Sequence, residues 1–169
     1  MLFFVGMPGT GKSYWASTIA TAHDLPFIDL DSVIEDKVKM NIADYFEKCG
    51  EDEFRKREQE ALLHLIANCE NNTVIACGGG TPVFFDNLQQ MQKAGCVIYL
   101  KATINAIMQR LANSSIRRPL LEGKDLPTAL MELYDRREPY FSQADHIFDV
   151  ESISLTNFTE IIPSCTNRP

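Results

Sequence analysis

The sequence predicts an α/β fold in which a mostly parallel sheet lies between two layers of helices. Three observations predict it. Short apolar runs at Leu2–Val5, Pro26–Leu30, Thr73–Cys77, Cys96–Leu100 and His146–Val150 alternate with longer helical patterns. The runs are nearly continuous in apolar residues, as parallel strands covered on both faces are. The residues suited to chemistry gather just after the runs, where the crevice of an open α/β sheet forms.

The helical patterns cover Lys12–Ala22, Ser32–Met40, Asp52–Cys69, Phe84–Lys93, Thr103–Leu111 and Leu126–Tyr134. Asp52–Cys69 is the clearest, with Ala61, Leu62, Leu65, Ile66 and Cys69 on one face and charges opposite. Residues 113–127 break the periodicity with Ser, Arg, Pro and Gly and suggest a lid between two helices. After Glu151 the chain holds one weakly helical stretch, Leu155–Ile162, with an end expected to fray.

With 169 residues and 45% apolar content the chain is expected to form a single domain. A net charge of −7 and a pI near 4.9 argue against a nucleic-acid binder, whose phosphate contacts need a basic surface. No apolar run is long enough to span a membrane, and Met1–Val5 lacks the basic flank of a signal peptide, so a cytoplasmic monomer is expected. The five cysteines, Cys49, Cys69, Cys77, Cys96 and Cys165, lack CxxC spacing, and they are expected to be buried free thiols in a reducing compartment.

Gly6-Met7-Pro8-Gly9-Thr10-Gly11-Lys12-Ser13 matches GxxxxGK[ST], after an apolar run and before a helix. Its glycines let backbone N–H groups, including those of Gly9, Thr10 and Gly11, face phosphate oxygens at the positive end of the helix. Lys12 would reach the β- and γ-phosphates of ATP, and Ser13 would offer a hydroxyl to Mg²⁺. Tyr14 follows as a candidate nucleotide contact, although a large ring there equally suits helix packing.

Asp29 and Asp31 flank Leu30 where the second run gives way to a helix. Two neighbouring carboxylates suit a magnesium shell (Asp29) and an attacking hydroxyl (Asp31), although Asp31 could equally cap the helix. Gly78-Gly79-Gly80 at the end of the third run would admit a ligand close to the backbone, or form a plain turn. Arg55 precedes Glu58 by three residues, which could pair with it; taken alone, Arg55–Arg57 reads as a solvated face. Arg118 in the lid could close over a transferring phosphoryl group. Arg137 ends the last long helix, before Pro139, where a cation also suits the helix dipole. The residues alone leave open a gluconate or nucleotide kinase and a non-catalytic nucleotide-binding module.

Read in order, these segments resemble shikimate kinase, from Leu2 to about Val150. Phe27–Glu35 is similar to that family's FxDxDxxIE segment and Ile42–Phe46 to its IADIF-like segment. Glu53-Phe54-Arg55 with Glu58, Gly78–Gly80, Arg118-Pro119-Leu120-Leu121 and Arg137-Glu138-Pro139-Tyr140 follow in the same order. The resemblance implies a three-layer P-loop kinase fold with a five-stranded parallel sheet, a lid at about 112–127 and a substrate-binding helical region at about 32–60. It implies that Asp31, Arg55, Gly79 and Arg137 hold shikimate, with Gly78 and Gly80 beside Gly79, both arginines on its carboxylate and Asp31 on ring hydroxyls. Arg118 resembles the lid arginine that contacts ATP, Arg110 one that stacks on adenine, and Asp29 the outer-shell magnesium carboxylate. The implied reaction is phosphorylation of the 3-hydroxyl, on the route to chorismate and the aromatic amino acids. Tyr14 stands where the family usually has Thr, and no basic residue follows the last strand in Glu151–Leu155.

Overall fold

A computed structural model of the chain describes residues 1–113, 119–121, 123 and 125–166. Five strands, β1 (Leu2–Val5), β2 (Phe27–Asp29), β3 (Val74–Ala76), β4 (Cys96–Lys101) and β5 (His146–Asp149), form one sheet of order β2-β3-β1-β4-β5. Every pairing is parallel, with Phe3 opposite both Ile75 and Val97 and Leu100 opposite Phe148. The three central strands are buried along nearly their whole length, whereas the edge strands β2 and β5 are partly exposed. This is the pattern expected when helices cover both faces. Because chain order reverses about β1, the turns after β1 and β3 open into one crevice at the carboxyl edge.

The helices are α1 (Lys12–Ala22), α2 (Leu30–Val38), α3 (Ile42–Cys49), α4 (Glu51–Asn68), α5 (Asn87–Ala94), α6 (Ile104–Ala112), α7 (Leu126–Phe141) and α8 (Leu155–Thr166). Short 3₁₀ turns occupy Thr81–Val83 and Pro119–Leu121. Several helices depart from the sequence expectation, α5 by starting at Asn87 and not at Phe84. The Asp29 carboxylate accepts the Asp31 amide at 3.0 Å and starts α2 at Leu30, two residues early. Asp31 therefore lies in the first helical turn instead of capping it. Lys39, at φ 58°, then stops α2, and the Asn41 side chain accepts the Asp44 amide at 2.9 Å to start α3, a helix absent from the periodicity reading. Finally, α7 runs through Pro139 to Phe141, because a proline this near the helix end removes only one backbone bond.

The tail is not frayed over its described length. α8 continues to Thr166 and buries Phe158, Ile162 and Cys165 on the face made by β1, β4 and β5. The Phe158 ring lies 5.7 Å from Phe4, 5.6 Å from Trp15 and 4.9 Å from Phe148, measured between centroids. The expectation of free thiols fails at two positions: Cys96, at the start of β4, and Cys165 form a disulfide across 69 residues. Packing of α8 brings the two residues together, and sequence spacing carries no trace of it. Cys77 is buried and free as expected, Cys69 is partly buried and Cys49 is exposed. Among the described residues no helix is long and apolar enough to cross a membrane.

Truncating Phe158 to Ala removes the ring that joins α8 to α1 and β5. It should cost about 3–5 kcal/mol of unfolding free energy, read as a lower urea midpoint.

Candidate active site

The loop between β1 and α1 wraps tightly because its glycines adopt conformations other residues avoid: Gly9 and Gly11 have φ of 83° and 86°. A Cβ on Gly6 would sit 2.5 Å from the Leu100 carbonyl oxygen, so the loop lies directly on β4. Thr10 is buried, and its hydroxyl donates to the Met7 carbonyl at 2.9 Å. Its side chain thus braces the loop and does not line the cavity. The Lys12 ammonium donates to the same carbonyl at 3.0 Å and faces the cavity with Ser13 and the well-exposed Tyr14. Ser13 Oγ donates to Asp29 Oδ2 at 2.6 Å, which brings a hydroxyl and a carboxylate together at the loop's edge. Arg110, on α6, is exposed on the other side of the loop and reaches the Gly9 carbonyl at 3.3 Å.

A cavity of about 840 Å³ opens from this loop toward α2, α3, α4, α7 and the turn after β3. Asp29, Asp31, Arg55, Gly78, Gly79, Gly80, Arg110 and Arg137 all line it. The structure thus brings together every candidate residue among those described except the Thr10 side chain. Arg117 and Arg118 lie outside the described residues, as do positions 114–116, 122 and 124 of the expected lid.

The triple glycine is a spatial requirement. A Cβ on Gly78 would fall 2.7 Å from Glu58 Oε1 and 3.0 Å from Asp31 Oδ1. On Gly79 it would meet Arg137 Nη1 at 2.8 Å, the Gly6 carbonyl at 3.2 Å and the Pro8 ring at 3.4 Å. On Gly80 it would strike the Arg55 guanidinium at 2.5 Å. One stretch of bare backbone therefore separates the phosphate loop from two arginines and two carboxylates.

Arg55 is buried, not solvated. Its guanidinium pairs with Glu58 at 2.8 Å and Glu51 at 2.9 Å and lies 4.4 Å from the Phe84 ring centroid and 5.0 Å from that of Phe54. Glu58 is fully buried and also accepts the Thr81 hydroxyl at 2.6 Å. In the sequence it stood out only as a helical neighbour of Arg55; its burial depends on the glycine turn folding over it. Arg137 is 5% exposed and, among the described residues, makes no hydrogen bond or ion pair. Burial, and then the repulsion of Arg55, lowers its pKa to about 10, so it remains a cation at neutral pH. Asp31 is pushed the other way, to about 7, by burial first and then by Glu58 and Asp29, with Lys12 opposing. Two confined guanidiniums, one without an anionic partner among the described residues, suit an anionic ligand; a carboxyl group titrating near neutrality suits proton transfer.

The shikimate kinase family profile matches residues 8–166. The chain belongs to the shikimate kinase family. A shikimate kinase from Azobacteroides pseudotrichonymphae is 35% identical over 162 residues, 94% of this chain and 95% of the relative. The crystal structure of shikimate kinase from Bacteroides thetaiotaomicron superposes with a TM-score of 0.85 at 30% identity, covering 96% of this chain and 97% of that one. Shikimate kinase from Acinetobacter baumannii in complex with shikimate gives 0.86 at 28%, covering 96% and 90%. Membership of a kinase family makes ATP the co-substrate, and it disfavours the gluconate, nucleotide and non-catalytic readings.

Folding raises the Asp31 pKa from 3.8 to about 7, so the folded protein binds more protons than the unfolded chain between those values, and stability falls as pH rises through that window. Asp31→Asn abolishes this loss. In urea titrations the variant should match wild type near pH 4 and exceed it by at least about 1 kcal/mol at pH 8. Equal differences at both pH values would contradict the burial of this charge.

Proposed function

We propose that this chain transfers the γ-phosphoryl group of ATP to the 3-hydroxyl of shikimate, giving ADP and shikimate 3-phosphate. The observation that carries the reading is Arg137: a buried cation with no partner among the described residues, facing the same cavity as Lys12 and Asp31. A substrate carboxylate would complete that charge, with Arg55 as its second contact and Gly78–Gly80 giving the ring room against the backbone. The family supplies the substrate class, and the shikimate-bound relative shares this fold closely.

In this reading Asp31 accepts hydrogen bonds from the ring hydroxyls and takes the proton of the attacking oxygen as its bond to phosphorus forms. A pKa near 7 suits that exchange, because the group is neither too weak a base nor permanently charged. Gly9, Thr10 and Gly11 offer backbone amides to the phosphates, Lys12 reaches the β- and γ-phosphates, and Arg118 closes over them from the lid at about 112–127. Arg110 and Tyr14 flank the nucleotide. The oxygen donors of Ser13 and Asp29 fit Mg²⁺, which, bound with ATP, offsets the triphosphate charge. Residues 32–60 form the acceptor wall of a single kinase domain. The chain is taken to act as a monomer, and consumption of ATP suits the cytoplasm.

ADP release should require Mg·ATP together with shikimate and stay at background with gluconate, AMP or water as acceptor. Asp31→Asn should lower kcat by about 10²–10⁴ while ATP binding persists; near-normal turnover would remove Asp31 from the chemistry. Arg137→Met offers a sharper test, because it relieves a buried charge while deleting a carboxylate contact. It should leave the protein at least as stable and raise KM for shikimate by about 10–100-fold with KM for ATP unchanged.

A further inference from the structure

At the amino edge of the sheet, opposite the kinase cavity, Cys96, His146 and Cys165 converge. Their sulfurs and an imidazole nitrogen lie within 4.8 Å of one another. The convergence follows from the sheet register. His146 is paired with Ile98, and Cys96 lies two residues before Ile98 on the same strand, so Cys96 and His146 project from one face. α8 covers that face and ends with Cys165 against it. Cys96 is 1% exposed and Cys165 is fully buried, whereas His146 is half-buried and carries no hydrogen bond on either ring nitrogen among the described residues.

We infer that, with the disulfide reduced, Cys96, Cys165 and His146 bind one thiophilic divalent cation of the Zn²⁺ class, and that the disulfide is the site's oxidised, metal-free state. Three features select this class. Two thiolates and an imidazole are borderline-soft donors, with no oxygen ligand to favour Mg²⁺ or Ca²⁺. Two thiolates cancel a dication, so the loaded site is neutral in an apolar setting, where a monovalent ion would leave a buried negative charge. The half-exposed side at His146 lets water reach the fourth tetrahedral position. The Cα atoms of the cysteines are 5.3 Å apart, close enough for sulfurs about 3.8 Å from each other on a shared tetrahedral metal after side-chain rotation alone. The exchange balances with a dithiol reductant. Its two electrons break the Cys96–Cys165 bond, it leaves as a cyclic disulfide, and the two thiols that result give up their protons as the cation binds.

The test uses the full chain, reduced anaerobically with dithiothreitol, desalted and titrated with Zn²⁺ against a chromogenic chelator, with Co²⁺ absorption as a probe of thiolate ligation. Reduced wild type should take up one Zn²⁺ per chain that the oxidised protein does not, and Co²⁺ should give a thiolate charge-transfer band. Cys165→Ser and His146→Ala should each weaken that uptake by at least about tenfold. Shikimate phosphorylation by both variants reports that they remain folded. Oxygen sites at the carboxyl edge would bind equally in every variant and subtract out. Uptake in reduced wild type no greater than in Cys165→Ser overturns the inference. So does undiminished binding by His146→Ala, or a disulfide that dithiothreitol cannot reduce in the folded chain.

Discussion

Glu58 has no contact with solvent, and a carboxylate so placed is tolerable only because both of its oxygens are satisfied. Arg55 meets one at 2.8 Å and the Thr81 hydroxyl meets the other at 2.6 Å. Much of the acceptor side follows from that arrangement. The pairing holds the Arg55 guanidinium against Phe84 and Phe54, giving it one direction instead of the many open to a surface arginine. It ties α4 to the turn after β3, and that turn must be bare of side chains because Glu58 and Arg55 fill the space beneath it. The negative charge of Glu58 also reaches Asp31 and, after burial itself, is the largest influence raising its pKa.

The site therefore couples two charges of opposite sign that are both poorly compensated. Asp31 stands among carboxylates, with only Lys12 working in its favour. Arg137 is held against its charge by burial and then by Arg55, with Glu58 and Glu51 working in its favour without pairing with it among the described residues. Each is costly alone, and the two do not pair with each other. In the proposed function, a ligand that is both an anion and a polyol would relieve both at once, with its carboxylate at Arg137 and its hydroxyl at Asp31. Such relief, available only on binding, would turn the cost held in the free protein into selectivity for that ligand class.

How legible this was in the sequence depends on whether a feature is local. The phosphate loop was readable because positive-φ glycines, a strand before and a helix after are all written within Leu2–Ala22. The five strands and most helices were readable from apolar runs. α3 was not, because an eight-residue helix entered from Lys39 in the left-handed region leaves no glycine or proline to mark its start. Pro139 reads as a helix terminator just after Arg137, yet α7 continues through it and buries Arg137. The burial of Glu58 was invisible for a different reason: Glu58 and Gly78 are twenty positions apart, and only the folded turn shows that one covers the other. The family pattern named Arg55 and Arg137 as partners without revealing that one is held by carboxylates and that the other is paired with none among the described residues.

The disulfide illustrates the same limit at the opposite edge of the sheet. Nothing in the spacing of Cys96 and Cys165 joins them; α8 does, through Phe158 packed on Phe4, Phe148 and Trp15. This packing also separates the two edges functionally. Trp15 belongs to α1, the helix that begins at the phosphate loop, so α8 supports that loop from behind. Its support comes from the buried ring of Phe158, about two turns before Cys165. A change of state at the sulfurs alters the end of α8 without removing the contact that holds α1. Chemistry inferred for the amino edge would therefore act at the end of α8, apart from the Phe158–Trp15 contact that joins α8 to α1.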